Sequence, residues 1–301
     1  MTRGRFLKLG LAGGGTLVAG GAALYELVEH GVLPGKYALD YATGACDVAH
    51  QPLEFATPGP SYSKTFYSHA RNREVGYTIA YPPGHKPGDR LPLIVVLHGE
   101  DYDHTAGVAG IGGLTPAKAL ALHVNGAALR PMAMVTVDGG RGYWNPHPLD
   151  DPMGMVVDEL IPLCRGLGLG RATIGALGNS MGGYGAILFA EKFPHVFRAA
   201  AAISPAVWTS YDQARGVNAD AYASPAAFAA ADVITHAHAL SGTPVRVASG
   251  DDDPFQPGVA ALAKALPPGA VVELAPGCHS GDFVVQQLPP SLAFLSRHLA
   301  G

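Results

Sequence analysis

Apolar and polar positions change their period along this chain. From Ser61, the stretches SYSKTFYSHA and EVGYTIAYPP alternate polar with aromatic or β-branched residues, and the RNR between them reads as the turn of a half-exposed hairpin. From Leu91 the alternation gives way to apolar runs that end in glycine or polar residues, over 91–99, 132–140, 172–180, 197–205, 244–252 and 270–278. Such runs predict strands buried on both faces. Between them the spacing is helical over 115–129, 151–166, 181–192, 257–266 and 282–299. Strand alternating with helix predicts one α/β domain over 61–299, a mostly parallel central sheet flanked by helices on both faces. The connection 206–243 is too long for an ordinary loop and reads as a lid or side wall, its alanines allowing a short helix.

The chain ahead of this domain has a different character. Residues 1–8 carry Arg3, Arg5 and Lys8, and residues 9–25 are uncharged, apolar and glycine-rich, the layout of an export leader. Gly4 splits the two arginines, so the match to a twin-arginine signal is imperfect. The apolar stretch falls short of the roughly 20 residues a membrane span needs, which favours a cleaved leader and a secreted or cell-envelope protein. Residues 26–60, with GVLPGK and TPGP, read as irregular lead-in.

Composition narrows the classes further. A hydrophobic share of 48% excludes a disordered chain, and 40 glycines with 25 prolines in no triplet period exclude a collagen-like one. The net charge of −4, with no basic run beyond the first eight residues, argues against a nucleic-acid partner. Cys46, Cys164 and Cys278 are too few and too far apart for a disulfide framework or a zinc site, and their spacing does not say which two, if any, pair.

Candidate chemistry gathers at the strand ends, where an open parallel sheet has its ligand crevice. Those ends read His98-Gly99, Asp138-Gly139-Gly140, Gly178-Asn179-Ser180, Asp251-Asp252-Asp253 and Cys278-His279. Gly178-Asn179-Ser180-Met181-Gly182 is a G-x-S-x-G elbow between an apolar run and a helical pattern, the context that makes Ser180 a nucleophile. A serine hydroxyl needs a base, and the base needs a carboxylate to fix its tautomer. In the chain order Ser, acid, His only His279 and His298 qualify, and His298 lies in the last helix, so His279 is the base. Asp251, Asp252 and Asp253 are adjacent candidates for the acid; Asp253 is favoured because the chain there turns towards the next helix. Oxyanion donors are expected at the N–H of Met181, after the nucleophile, and of Glu100, after His98-Gly99. This mechanism requires no cofactor and no metal. Asp101, Asp103, His104, His236 and His238 have metal-ligating side chains but are expected to be solvated residues around the crevice. Tyr143 and Trp144 either line an acyl pocket or pack at its rim.

The longer string Gly178-Asn-Ser-Met-Gly-Gly-Tyr-Gly-Ala186 resembles the esterase D family, which holds secreted esterases, S-formylglutathione hydrolases and the antigen 85 mycolyltransferases. Tyr81-Pro-Pro-Gly84, Leu97-His98-Gly99, Asp138-Gly139-Gly140, Asp158-Glu-Leu-Ile-Pro162, Asp253-Pro254-Phe255 and Leu288-Pro289 before the last helix extend the likeness over most of 75–299. The resemblance implies an α/β-hydrolase fold, a triad at Ser180, Asp253 and His279, oxyanion donors at Glu100 and Met181, and a small-molecule or lipid ester as substrate. Antigen 85 enzymes have a glutamate as triad acid and an arginine after the oxyanion-hole leucine, where this chain has Asp253, Glu100 and Asp101. The expected activity is therefore a serine carboxylesterase associated with the envelope or secreted. An antigen 85-like acyltransferase and an S-formylglutathione hydrolase-type thioesterase are the alternatives.

Overall fold

The computed structural model describes Cys46, Val48, residues 52–106 and residues 114–299. The leader expected over 1–25 lies outside the described residues, as does most of the lead-in. Among the described residues no helix is long and apolar enough to cross a membrane.

Eleven strands are described. They are β1 (Glu54–Phe55), β2 (Ser61–Ser68), β3 (Arg73–Ala80), β4 (Leu91–Leu97), β5 (Leu122–Val124), β6 (Ala127–Ala128), β7 (Ala133–Val137), β8 (Leu169–Asn179), β9 (Phe197–Ile203), β10 (Val245–Gly250) and β11 (Val271–Ala275). Eight of them form the main sheet in the order β11-β10-β9-β8-β4-β7-β3-β2, and β1-β5-β6 form a small second sheet. The hairpin partners β2 and β3 are antiparallel, β3 is antiparallel to β7, and every other pair in the main sheet is parallel.

The helices are α1 (Pro116–Leu120), α2 (Pro152–Gly154), α3 (Ile161–Gly166), α4 (Met181–Lys192), α5 (Tyr211–Val217), α6 (Pro225–Ala230), α7 (Gln256–Ala265) and α8 (Gly281–Leu299). A π-helical turn, Met155–Leu160, continues α2 into α3. Start signals are local: Thr115, Asp151, Ser210 and Ser224 each accept a backbone N–H of the first turn of α1, α2, α5 and α6. Pro289, expected before the last helix, lies inside α8 together with Pro290.

The apolar runs are uninterrupted because the sheet has a core on each face. Along β4, Leu93, Val95 and Leu97 enter one core with the apolar residues of α4, while Ile94 and Val96 enter the other with α1 and α8. In β9, Ala200 and Ala202 face the first core and Ala199, Ala201 and Ile203 the second.

Two expectations are corrected. The helix expected over 115–129 stops at Leu120; the chain then forms the hairpin β5–β6 around Asn125 and Gly126, both with positive φ. Asn-Gly is the pair that a tight two-residue hairpin turn requires. β11, expected to be buried on both faces, is the edge strand, and Val271, Val272 and Leu274 are 44, 37 and 48% exposed. The 206–243 connection folds into α5, α6 and a 3-10 turn at Ala237–Leu240. Cys46 and Cys278 are each in the disulfide-bonded form, and Cys164 is a buried free thiol.

Candidate active site

Strand β8 delivers Ser180 to the carboxyl edge of the sheet through a turn that only small residues permit. A Cβ on Gly178 would collide with the carbonyl of Gly182, and one on Gly182 with the carbonyl of Leu97 at the end of β4. Ser180 itself has φ 55° and ψ −124°, a conformation that few non-glycine residues adopt. The turn is pinned by Ser180 N–H to the Ile203 carbonyl at 3.0 Å and by Ala206 N–H to the Ser180 carbonyl at 3.0 Å. A serine directly before a helix ordinarily caps it, but the Ser180 side chain makes no capping bond to α4. Its Oγ lies 2.9 Å from Nε2 of His279 instead.

His279 follows β11 and precedes α8. Its Nδ1 is 2.8 Å from Oδ2 of Asp253, whose carboxylate is fully buried. The other oxygen of Asp253 accepts the Phe255 N–H at 2.9 Å. Of the three adjacent aspartates, then, Asp253 meets the histidine. Asp251 is exposed, and its Oδ1 accepts the Gly277 N–H at 3.1 Å, bracing the turn that leads to His279. His298 lies near the end of α8 and packs against Phe294 in a tilted arrangement, with ring centroids 4.6 Å apart.

Met181 opens α4, so its N–H is one of the first-turn donors without an intrahelical acceptor. Sequence reasoning missed what holds the Glu100 peptide, the other expected donor. His98 is buried, Nε2 of its ring accepts the Gly139 N–H at 2.8 Å, and its Nδ1 lies 2.7 Å from the Gly99 carbonyl. An acceptor at Nε2 puts the proton on Nδ1, so His98 is neutral and donates to Gly99. Burial holds its pKa below the ordinary histidine value, in the same sense. The Gly99 carbonyl and the Glu100 N–H are opposite ends of one planar trans peptide unit, so fixing the oxygen fixes the direction of the N–H. A histidine at the end of an apolar run was the only signal for this role.

Tyr143 and Trp144 are fully buried, both with positive φ, and Trp144 Nε1–H donates to the His98 carbonyl at 3.3 Å. They are the floor beneath the site, not its lining. Half-buried rings lie closer to the chemistry: Phe255 is 5.1 Å from the His279 ring and Trp208 4.8 Å from Phe255, centroid to centroid.

Most of the remaining polar candidates have partners of their own. Asp138 accepts the Gly76 N–H at 2.7 Å and the His104 N–H at 2.9 Å, and pairs with His104 Nδ1 at 2.7 Å. With Asp103 they make the one group among the described residues whose ligand atoms lie close enough to hold a metal. Asp103 Oδ1 already accepts both the backbone N–H and the hydroxyl of Thr105, each at 2.7 Å. Hydrogen bonds therefore account for the cluster. Asp101 faces Arg141 at 3.4 Å, His236 is half-buried and His238 is exposed.

The family model described as "Putative esterase" matches residues 68–266. The chain belongs to this esterase family. Among curated proteins none matches. Similar solved structures include a ferulic acid esterase (TM-score 0.63, 17% identity, 80% of this chain and 99% of that one). An S-formylglutathione hydrolase from Agrobacterium tumefaciens gives TM-score 0.63 and 19% identity, covering 83% of this chain and 99% of that one. MPT51 (FbpC1) of Mycobacterium tuberculosis gives 0.58 and 16%, covering 83% and 100%. The fold is that of the α/β-hydrolases, and at the level of the family the esterase is a hydrolase of small-molecule carboxylic esters.

Proposed function

We propose that this esterase works through a covalent acyl-serine at Ser180. The observation that supports the reading is the unbroken relay of Ser180 Oγ, His279 and Asp253, with contacts of 2.9 and 2.8 Å. Ser180 Oγ attacks the ester carbonyl carbon while its proton passes to His279 Nε2. The carbonyl oxygen becomes an oxyanion facing the N–H groups of Met181 and Glu100. Collapse breaks the ester C–O bond, and Nε2 returns the proton to the departing alcohol. Water then repeats the path on the acyl-serine and releases the acid. Asp253 keeps the Nδ1 proton in place and stabilises the imidazolium, while Phe255 and Trp208 offer an apolar face to the ester beside His279.

A fluorophosphonate probe tests the nucleophile. Peptide mass mapping of the labelled protein should find the adduct on Ser180; an unlabelled protein that still hydrolyses p-nitrophenyl acetate would exclude the assignment. A second measurement addresses His98. His98→Ala frees the Gly99–Glu100 peptide to rotate, and kcat should fall by about 10- to 100-fold with KM little changed, somewhat less than the loss of a whole oxyanion donor. An unaltered kcat would show that the peptide is held without the imidazole.

We also read residues 1–25 as an export leader. The disulfide-bonded state of Cys46 and Cys278 agrees with an oxidising destination.

A further inference from the structure

The inference rests on the acyl-serine reading above. Glu100 supplies a proposed oxyanion donor from its backbone and carries a carboxylate on its side chain. A negative group within a side chain's length of a developing oxyanion raises the energy of the state the N–H should stabilise. A neutral residue would avoid the conflict, so the charge needs an answer nearby.

Arg141, in the loop after β7, provides one. Its Nη2 and Nε donate to Glu100 Oε1 at 2.8 and 3.3 Å. Asn218, at the end of α5 in the lid segment, donates to the same oxygen at 3.0 Å. The Asn218 amide also donates to the Arg141 carbonyl at 3.1 Å and accepts the Asp220 N–H at 2.8 Å, so both its N–H groups and its oxygen are engaged in a buried position. Two segments far apart in sequence thus close on one carboxylate oxygen of a third. The next residue, Asp101, sits at φ 64°, a left-handed conformation that costs about 1 kcal/mol and persists only where neighbours hold it. Arg141 reaches that side chain too, at 3.4 Å.

We propose that Arg141 is a positioning residue of the oxyanion hole: it offsets the Glu100 charge and, with Asn218, ties the 99–101 turn to the lid segment. Arg141 touches no reacting atom in this scheme. It sets the field and the backbone direction at the donor.

The test is a rescue. Arg141→Met keeps the bulk and removes the charge, so kcat for p-nitrophenyl esters should fall by about tenfold, with KM within about twofold. Adding Glu100→Gln to that variant removes the uncompensated charge and should restore most of the lost kcat. Raising the salt concentration should narrow the gap between Arg141→Met and wild type, because these groups are partly exposed. A merely structural role predicts the reverse, a double variant worse than the single one. An active wild type whose Arg141→Met variant keeps its kcat, or loses it without rescue, sinks this inference alone. A wild type that takes no probe at Ser180 sinks the acyl-serine reading and this inference with it.

Discussion

Asp253→Asn is expected to lower kcat for ester hydrolysis by about four orders of magnitude with the fold intact. The reason lies in the second oxygen of the carboxylate. Oδ1 accepts the Phe255 N–H at 2.9 Å while Oδ2 faces His279 Nδ1. An asparagine here keeps its single oxygen on the Phe255 N–H and so turns its amide N–H groups towards Nδ1. Nδ1 must then accept, the ring proton moves to Nε2, and the nitrogen beside Ser180 can no longer take a proton. Ser180→Ala removes the nucleophile and should cost at least as much. The two changes together should cost little more than Ser180→Ala alone, because the residues act as a unit. The measurement is single-turnover and steady-state hydrolysis of p-nitrophenyl esters by the three variants, with thermal melts as folding controls. A folded Asp253→Asn protein retaining more than about a tenth of wild-type kcat would remove Asp253 from the relay.

Ser180 and His279 were legible because each stands where an apolar run stops, and a parallel sheet opens its crevice at those ends. Asp253 was separable from its neighbours only as a preference, since three adjacent aspartates differ by which way the turn points them. Burial distinguishes them: Asp253 is 3% exposed and Asp251 lies on the surface. The fold class was legible for the same reason as the site, through runs that end in polar residues. The β5–β6 hairpin was misread because LALHV and AAL carry apolar residues at spacings a helix also satisfies, although Asn125-Gly126 announced the turn. The exposure of β11 follows from its place in the sheet order, which the residues Val271 to Ala275 do not encode locally. Side-chain networks were the least legible. Glu100, Arg141 and Asn218 meet only because two loops and the 206–243 connection converge, and nothing in a one-dimensional pattern marks them.

Glu191 is another such residue, and replacing it should change stability more than any other substitution considered outside the relay. It lies near the end of α4, in the stretch FAEKF, where a charged residue suggests a solvated face. It is 6% exposed, and among the described residues its Oε1 has no hydrogen-bond partner. The 206–243 connection packs against α4 here: Lys192 Nζ donates to the Ala230 carbonyl at 2.8 Å and the Tyr184 hydroxyl to the Ala231 carbonyl at 2.7 Å. Burial, with a smaller contribution from the Asp232 carboxylate, pushes the Glu191 carboxyl up to about 9. The folded protein therefore holds this proton up to about pH 9, whereas the unfolded chain releases it near 4.5. Between those values the folded state binds more protons, so rising pH favours unfolding, and stability is lost progressively from about pH 4.5 to 9. At pH 7 the loss is about 3 kcal/mol, from roughly 1.4 kcal/mol for each pH unit above the unfolded value. Glu191→Gln keeps the shape and has no proton to lose. It should raise the melting temperature by roughly 5 to 10 °C at pH 7 and by almost nothing at pH 4. Denaturant titrations of both proteins from pH 4 to 9 measure the difference directly. Parallel curves over that range would mean that Glu191 is already ionised in the folded protein, solvated or paired beneath the 206–243 connection.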